Sequence, residues 1–329
     1  MLNRFMVCKN SRRIVLQLLL QIAMISMFIS LAYAVDSIEP FVTEVVNNKQ
    51  GADSEPAYER TSFKVMTFNI RWEGHDEDGI FHDTGFSLRK PLILDVLTKF
   101  DADIIGLQES SIEQRAALSP HLSRFGMFPT PVDAGDECIL YHLERFDLIN
   151  SGHEYLRRDP EKTGTNIGVR DFVWVYLQDR ITGKRFYVVN LHTDHRSSSR
   201  GRQLDGVLIG EWIRKRNPSD PVILTGDFNG KPNQPRYLYL TGQRTYPGVD
   251  GKAVSMPIPM LDTFSDANPD AQFSGTINAG YTGKKNRNQI DYIFVPRGSA
   301  VIASRIIYYH VDGSYPSDHF PLLSEFELE

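Results

Sequence analysis

Several apolar runs in this 329-residue chain end on a residue able to do chemistry. Asn69 follows Val65-Met66-Thr67-Phe68, and Glu109 follows Ile104-Ile105-Gly106-Leu107-Gln108. Asn190 and His192 close the run Tyr187-Val188-Val189, and Asp227 and Asn229 close Val222-Ile223-Leu224-Thr225-Gly226. Asp291 sits inside Gln289-Ile290-Asp291-Tyr292-Ile293, and Asp318-His319 precedes the last apolar run. A single polar residue at a strand end is ordinarily a turn former or a cap. The set departs from that ordinary reading in two ways. Asp291 has apolar neighbours on both sides, and a lone buried carboxylate is costly unless it is paired. Together the residues also form one inventory: carboxylates for a hard cation, amides for phosphate oxygens, and two histidines for proton transfer.

Elements that could bring these residues together are legible around them. Phe63-Lys64-Val65-Met66-Thr67-Phe68 alternates and predicts a strand. Apolar residues at 88, 92, 93, 96, 97 and 100 have helical spacing, and Asp103–Leu107 reads as a short buried strand. Cys138–Tyr141 and Phe146–Ile149 predict a hairpin. Phe172–Gln178 and Arg185–Leu191 predict strands joined by a turn at 179–184. Ser197-Ser198-Ser199 can cap a helix running to about Arg216, and Val222–Leu224 is a further buried strand. Residues 241–288 are rich in Gly, Pro, Asn and Thr and read as long loops. Ile290–Val295, Ala300–Tyr308 and Pro321–Leu328 close the chain with strands. Strands that follow one another without a helix, mixed with strands that do not, predict an α/β (α+β) fold. Its architecture would be a four-layer sandwich of two packed, mostly antiparallel sheets flanked by helices.

Thr67-Phe68-Asn69, Leu107-Gln108-Glu109, Asn190-Leu191-His192, Gly226-Asp227-Phe228-Asn229, Ile290-Asp291-Tyr292 and Ser317-Asp318-His319 occur in one order along 62–329. In that order they resemble the endonuclease/exonuclease/phosphatase superfamily, which has a deoxyribonuclease I-like fold. Each motif is weak alone, and the ordered set ending in Ser-Asp-His is specific. The resemblance implies a metal site at Glu109, helped by Asn69 and Asp318, that takes Mg²⁺ or Mn²⁺. It implies that Asp227 orients or deprotonates the attacking water and that Asn229 donates to the phosphate. His319, held by Asp291, would stabilise charge on the phosphate. His192 would be a second phosphate-facing histidine, oriented by Glu137. His192-Thr193-Asp194-His195-Arg196-Ser197, with Arg200 after it, resembles a secreted or periplasmic bacterial subgroup. Asp194 and His195 then either face substrate or cap the following helix. Arg71 and Arg170 either bind phosphate oxygens bidentately or form surface salt bridges. Trp72, Trp174 and Trp212 read as core residues.

Bulk properties bound these readings. With 41% hydrophobic residues the chain can bury one large core and is short for two full-sized domains. Residues 1–34 order a basic stretch (Arg4, Lys9, Arg12, Arg13), an apolar run and Ala32-Tyr33-Ala34, which reads as a cleaved signal peptide for export. The alternative is a membrane anchor over residues 14–35, because the run is nearly long enough to span a bilayer. Residues 35–61 read as a flexible lead-in and 62–329 as the domain. Cleavage would remove those four positive charges and no negative ones, taking the formal charge from −5 to −9. Such a surface does not attract a long polyanion by its general field. Arg196, Arg200, Arg202, Lys284, Lys285 and Arg287 could still supply a local basic rim. Cys8 would leave with the signal, so Cys138 has no intrachain partner.

The expected activity is metal-assisted in-line attack of water on a phosphate ester, first of all as a phosphodiesterase or nuclease. A phosphatase or a phospholipid- or sphingomyelin-type phosphodiesterase is the alternative, and a non-catalytic binding relative is a third reading. The partner implied is a phosphate-ester substrate, nucleic acid among the candidates. No stable protein partner is implied, and a monomer is the default.

Overall fold

The computed structural model describes residues 61–74, 85–131, 135–157, 170–195, 198–216 and 220–329. The expected signal peptide, and the lead-in except for Thr61, lie outside these residues. In chain order the elements begin with β1 (Phe63–Asn69), α1 (Phe86–Lys99), β2 (Ile104–Gln108), α2 (Ile112–Leu118), β3 (Phe125–Pro129), β4 (Cys138–His142), β5 (Phe146–Arg157), β6 (Arg170–Asp179) and β7 (Arg185–His192). They continue with α3 (Ser199–Lys215), β8 (Val222–Asp227), α4 (Pro235–Leu240), β9 (Tyr246–Pro247), β10 (Ala253–Val254), β11 (Met260–Asp262) and α5 (Thr263–Ala267). Strands β12 (Asp291–Pro296), β13 (Ala300–Ile306) and β14 (Leu322–Glu327) end the domain.

Two six-stranded sheets carry the architecture, in the orders β13-β14-β1-β2-β4-β3 and β11-β12-β8-β7-β6-β5. Each sheet has one parallel pair inside an otherwise antiparallel ladder: β1 with β2, and β7 with β8. A parallel pair needs a crossover, and a helix supplies it, α1 in the first sheet and α3 in the second. Three apolar clusters then define four layers. One lies between the sheets around Phe63, Val188 and Ile293. The second joins the β7–β8 sheet to α3 and α4, and the third joins the β1–β2 sheet to α1. Each fully buried side chain of Val, Leu, Ile or Phe size contributes roughly 1.5–3 kcal/mol relative to exposure. These layers therefore dominate the stability and hold the strand ends that form the site.

Helix ends follow their local chemistry. Ser111 and Gln114 make a reciprocal capping box at α2, and the Ser198 hydroxyl accepts from Gly201 N at 3.1 Å to start α3. Among the described residues, no helix is long and apolar enough to cross a membrane.

The expected hairpin of 138–141 with 146–149 does not form. β4 pairs with β2 and β3 in the first sheet, while β5 pairs with β6 in the second. The short connection carries the chain from one sheet to the other, a step local spacing does not distinguish from a turn. The sequence pattern did not single out β3, α2 or α4, and the expected loops of 241–288 hold the short elements β9, β10, β11 and α5. Trp174 and Trp212 are buried as expected, but Trp72 is 40% exposed. It lies just after Arg71, whose φ of 60° turns the chain out of β1.

Candidate active site

Strand register alone gathers most of the site. Asn69 pairs with Gln108 at the parallel β1–β2 end, which puts Glu109 next to Asn69. His192 pairs with Asp227, and Asp227 pairs with Asp291, so three functional side chains stand on adjacent strands β7, β8 and β12. The two sheets meet at this end. Asn69 Nδ2 donates to Glu109 Oε1 at 3.0 Å and, across the sandwich, to Asp227 Oδ2 at 3.2 Å. Ser317 Oγ donates to Asn69 O at 2.7 Å and ties the Ser317-Asp318-His319 turn to the same strand end.

The backbone is bent to aim these groups. Arg71, Glu109 and Asn229 have φ of 60°, 54° and 43°. The left-handed region costs a non-glycine residue on the order of 1–2 kcal/mol, and such strain persists where the surroundings over-determine it. Here they do: Trp72 N donates to Glu109 Oε2 at 3.0 Å, Arg71 N donates to Asn69 Oδ1 at 2.9 Å, and Asn229 N donates to Asp227 Oδ1 at 2.8 Å. Immediately before Asp227 only glycine fits, since at a φ of 153° a Cβ on Gly226 would collide with the Leu191 carbonyl oxygen.

Asp227 is the hub. Its Oδ2 lies 3.5 Å from His192 Nε2 and 3.8 Å from His319 Nε2, and His319 Nδ1 lies 2.9 Å from Asp291 Oδ2. Asn229 Nδ2 donates to His192 Nε2 at 3.0 Å and to Thr193 O at 2.8 Å. Both amide hydrogens are thus engaged, so Asn229 must exchange its His192 bond to reach a phosphate oxygen.

Burial and charge divide the protonation states. Burial opposes a charge on His319, but Asp291, through charge and hydrogen bond, and Asp227 push its pKa well above the ordinary histidine value. Burial lowers His192. Two imidazoles on one carboxylate are thereby set apart, one cationic and one neutral near pH 7. Burial raises the Asp227 carboxyl, with Asp291 beside it adding to the shift. Burial would also raise Glu109, yet His192 when protonated, the Asn69 and Trp72 N–H groups and His319 bring it down to about 2.

Glu109 is therefore held ionised with an N–H on each oxygen, a carboxylate suited to a hard cation. With Asn69 Oδ1, which accepts from Arg71 N, and Asp318, which pairs with Arg71, it offers oxygen donors of the kind a hard divalent cation takes. The tightest metal-competent group among the described residues is a different one, Asp227, Asp291 and His319, with ligand atoms within 4.8 Å of one another. Its His319–Asp291 bond already joins two of those donors.

The remaining sequence candidates scatter. Arg71 Nη1 binds Asp318 Oδ2 at 2.8 Å and its guanidinium lies over the Tyr281 ring, so it is committed to an ion pair inside the site. Arg170 is half-buried beside Glu137 and His192. Ser198, not Asp194 or His195, caps α3. Asp194 is buried, His195 is exposed, and Arg200 is exposed in the first turn of α3. Glu137 is fully buried, and its carboxyl meets that of Asp171 rather than bonding to the His192 imidazole as expected. Burial raises both carboxyls, and the Asp171 charge pushes Glu137 further. Asp171 was missed in the sequence. Its one visible signal was a carboxylate opening an apolar run, Asp171-Phe172-Val173.

Residues 66–319 match the Endonuclease/Exonuclease/phosphatase family. The chain belongs to that family. Within it, the chain is 25% identical to rat nocturnin over 272 residues, which cover 73% of this chain and 58% of nocturnin. The chain thus spans a little over half the length of that relative. A solved endonuclease/exonuclease/phosphatase family protein from Bacteroides thetaiotaomicron superposes with a TM-score of 0.67 at 25% identity, covering 82% of this chain and 98% of the other. A mannosyl-6-phosphatase from the same organism shares the fold, with a TM-score of 0.66 at 24% identity over 80% of this chain and 99% of the other. The chain therefore has the fold of that family, and the strand ends described above fall within the matched residues.

Proposed function

We propose that this protein hydrolyses phosphodiesters with the help of a divalent cation held by Glu109, Asn69 and Asp318. The observation that carries the reading is Asp227, a buried carboxylate that faces both His192 and His319 while bonding to the Asn69 amide that also holds Glu109. A bound Mg²⁺ or Mn²⁺ supplies Lewis-acid stabilisation of charge on a phosphate oxygen. Asp227 takes the proton of the attacking water, a role suited by a pKa that burial and Asp291 raise above the ordinary carboxylate value. Cationic His319, steadied by Asp291, faces the charge that builds on the phosphate oxygens. Neutral His192 and the Asn229 amide supply further contacts on the same side. A diester suits the balance of charge, because carboxylates crowd the site and its Arg71 is spent on Asp318.

Nucleic acid is the first substrate class within this reading. Its support is the basic loop of Lys284, Lys285 and Arg287, which is exposed and tied to the site by Asn278 N donating to Asp318 O at 2.6 Å. A small phosphate ester is the second class, favoured by the net charge of −5 and by the sugar-phosphate specificity named for the Bacteroides mannosyl-6-phosphatase. Export through residues 1–34 belongs to the same proposal. Recovered protein whose N-terminus is Val35 supports it, and an intact N-terminus in a membrane fraction supports the anchor instead.

The test is a substrate panel on the purified protein with EDTA, Mg²⁺ and Mn²⁺ in parallel. It holds DNA, RNA, bis-p-nitrophenyl phosphate, p-nitrophenyl phosphate, sphingomyelin and sugar phosphates. Hydrolysis that EDTA abolishes and metal restores supports the reading, and the preferred substrate names the class. Hydrolysis unaffected by EDTA, or no hydrolysis of any substrate, overturns it.

A further inference from the structure

Four polar side chains lie directly beneath the site, between the sheets, and the chemistry uses none of them. Thr67, Gln108, Asn190 and Thr225 are each fully buried. Gln108 Nε2 donates to Thr67 Oγ1 at 3.0 Å and to Asn190 Oδ1 at 2.6 Å, crossing from the first sheet to the second. Asn190 Nδ2 returns the link, donating to Leu107 O at 2.7 Å and Cys138 O at 3.1 Å. Thr225 Oγ1 donates to the same Asn190 oxygen at 3.1 Å. A Cβ on Gly106 would collide with Asn190 Oδ1 and Thr225 Oγ1, so the missing side chain there makes room for the link.

Position along the strands gives this cluster its meaning. Thr67 precedes Asn69 by two residues, Asn190 precedes His192 by two, and Thr225 precedes Asp227 by two. Side chains two apart on a strand share a face. Gln108 pairs with Asn69 and immediately precedes Glu109. β1, β7 and β8 thus each place one buried polar group two residues below the functional residue they end on, and β2 ends on Gln108 immediately before Glu109. Apolar contacts between sheets are non-directional and tolerate sliding, whereas hydrogen bonds fix distance and angle. An apolar layer would bury more easily here, so polarity at these positions needs a reason beyond folding.

We infer that Thr67, Gln108, Asn190 and Thr225 form a positioning bridge that sets the separation of the two halves of the active site. One half is Asn69 and Glu109 on the first sheet, and the other is His192 and Asp227 on the second. This rests on the reading of the site as a phosphodiester hydrolase. None of the four touches substrate; they act through the residues above them. A displacement of about 1 Å in a catalytic group costs on the order of 10² in rate.

The experiment compares Gln108→Met, Asn190→Leu and the double variant with wild type, using bis-p-nitrophenyl phosphate for turnover and Mn²⁺ resonance for metal binding. Thr67→Val and Thr225→Val, with Thr67→Ser and Thr225→Ser as controls, keep the volume nearly constant in case the amide variants fail to fold. The bridge predicts a fall in kcat of about 10² for each amide variant, with KM and Mn²⁺ affinity within about threefold, because the metal half stays intact. It predicts that the double variant is no worse in kcat than either single one, and that the serine variants keep the turnover that the valine variants lose. In crystals of the valine variants the 3.2 Å Asn69–Asp227 bond is lost. A purely structural staple predicts lower melting temperatures with kcat per folded molecule unchanged, and that result overturns the inference. Retention of the Asn69–Asp227 bond also overturns it, whether or not the wild type turns over these substrates. Wild-type inactivity, or an active Glu109→Ala, sinks the functional reading instead.

Discussion

The two ends of this sandwich bury charge in opposite ways. At the end away from the site, Arg145 sits between Asp103 at 2.9 Å and Asp179 at 3.4 Å, with its guanidinium over the Phe63 and Phe146 rings. Asp103 also accepts from Lys64 N at 2.7 Å, so opposite charges and donors meet there. At the site end, like charges are held together: Asp227 beside Asp291, and Glu137 against Asp171. Buried acceptors there lack hydrogen-bond partners, including Asp291 Oδ1, Glu137 Oε2 and Asp171 Oδ1. One end is a staple between sheets. The other is kept electrostatically tense, with pKa values displaced in opposite directions, which is how sites prepare proton transfer and anion binding.

The sharpest break in this comparison is removal of site charges. His319→Ala and Glu109→Ala should each lower kcat by more than about 10³ while the protein stays folded, since lost charge-stabilising groups cost at least 10²–10³ in comparable sites. Steady-state kinetics with a melting curve checks this, and near-wild-type turnover at saturating metal would refute the site.

Arg145→Met should do the reverse. It strands two buried carboxylates and should cost about 3–5 kcal/mol of stability, with kcat per folded molecule unchanged. Denaturant unfolding beside an activity assay separates the two effects.

Asp291→Asn is intermediate. It should lower kcat by about 10² and bring the His319 pKa down, because Asp291 is the main group raising it. The sign extends to stability. A raised folded pKa contributes stability fully below the unfolded histidine value near 6.5, and that stability is lost as pH rises through the folded value. Wild type should therefore lose stability toward alkaline pH by more than the variant does. NMR titration of the imidazole in metal-free protein, alongside melting curves against pH, reads both.

The smallest effect should come from Ser198→Ala, which removes the α3 cap for about 1 kcal/mol with no change in kcat. A larger loss of activity would mean that the 193–198 segment contributes to the site.

Much of the frame was legible in the sequence. Alternating or apolar runs marked β1, β2, β6, β7, β8 and β12, and the serine run located the start of α3, because period and capping are local properties. The same local logic misled at 138–149, where two strands near in sequence belong to different sheets. It also left Asp171 and the Gln108–Asn190 link unread, since a buried amide inside a strand looks the same in sequence whether it staples or reacts.

Residue types were legible in the sequence, carboxylates, amides and imidazoles at the ends of apolar runs, and their order carried the resemblance to the family. Tertiary structure alone decided which of them touch. Asn69 reaches Asp227 from 158 residues away, and Arg71 reaches Asp318 from 247. Such distances are set by how two sheets pack, a property of summed, non-directional burial that no local spacing encodes. The opposed protonation of His192 and His319 arises there as well, because it depends on which carboxylate each imidazole faces once water has been excluded.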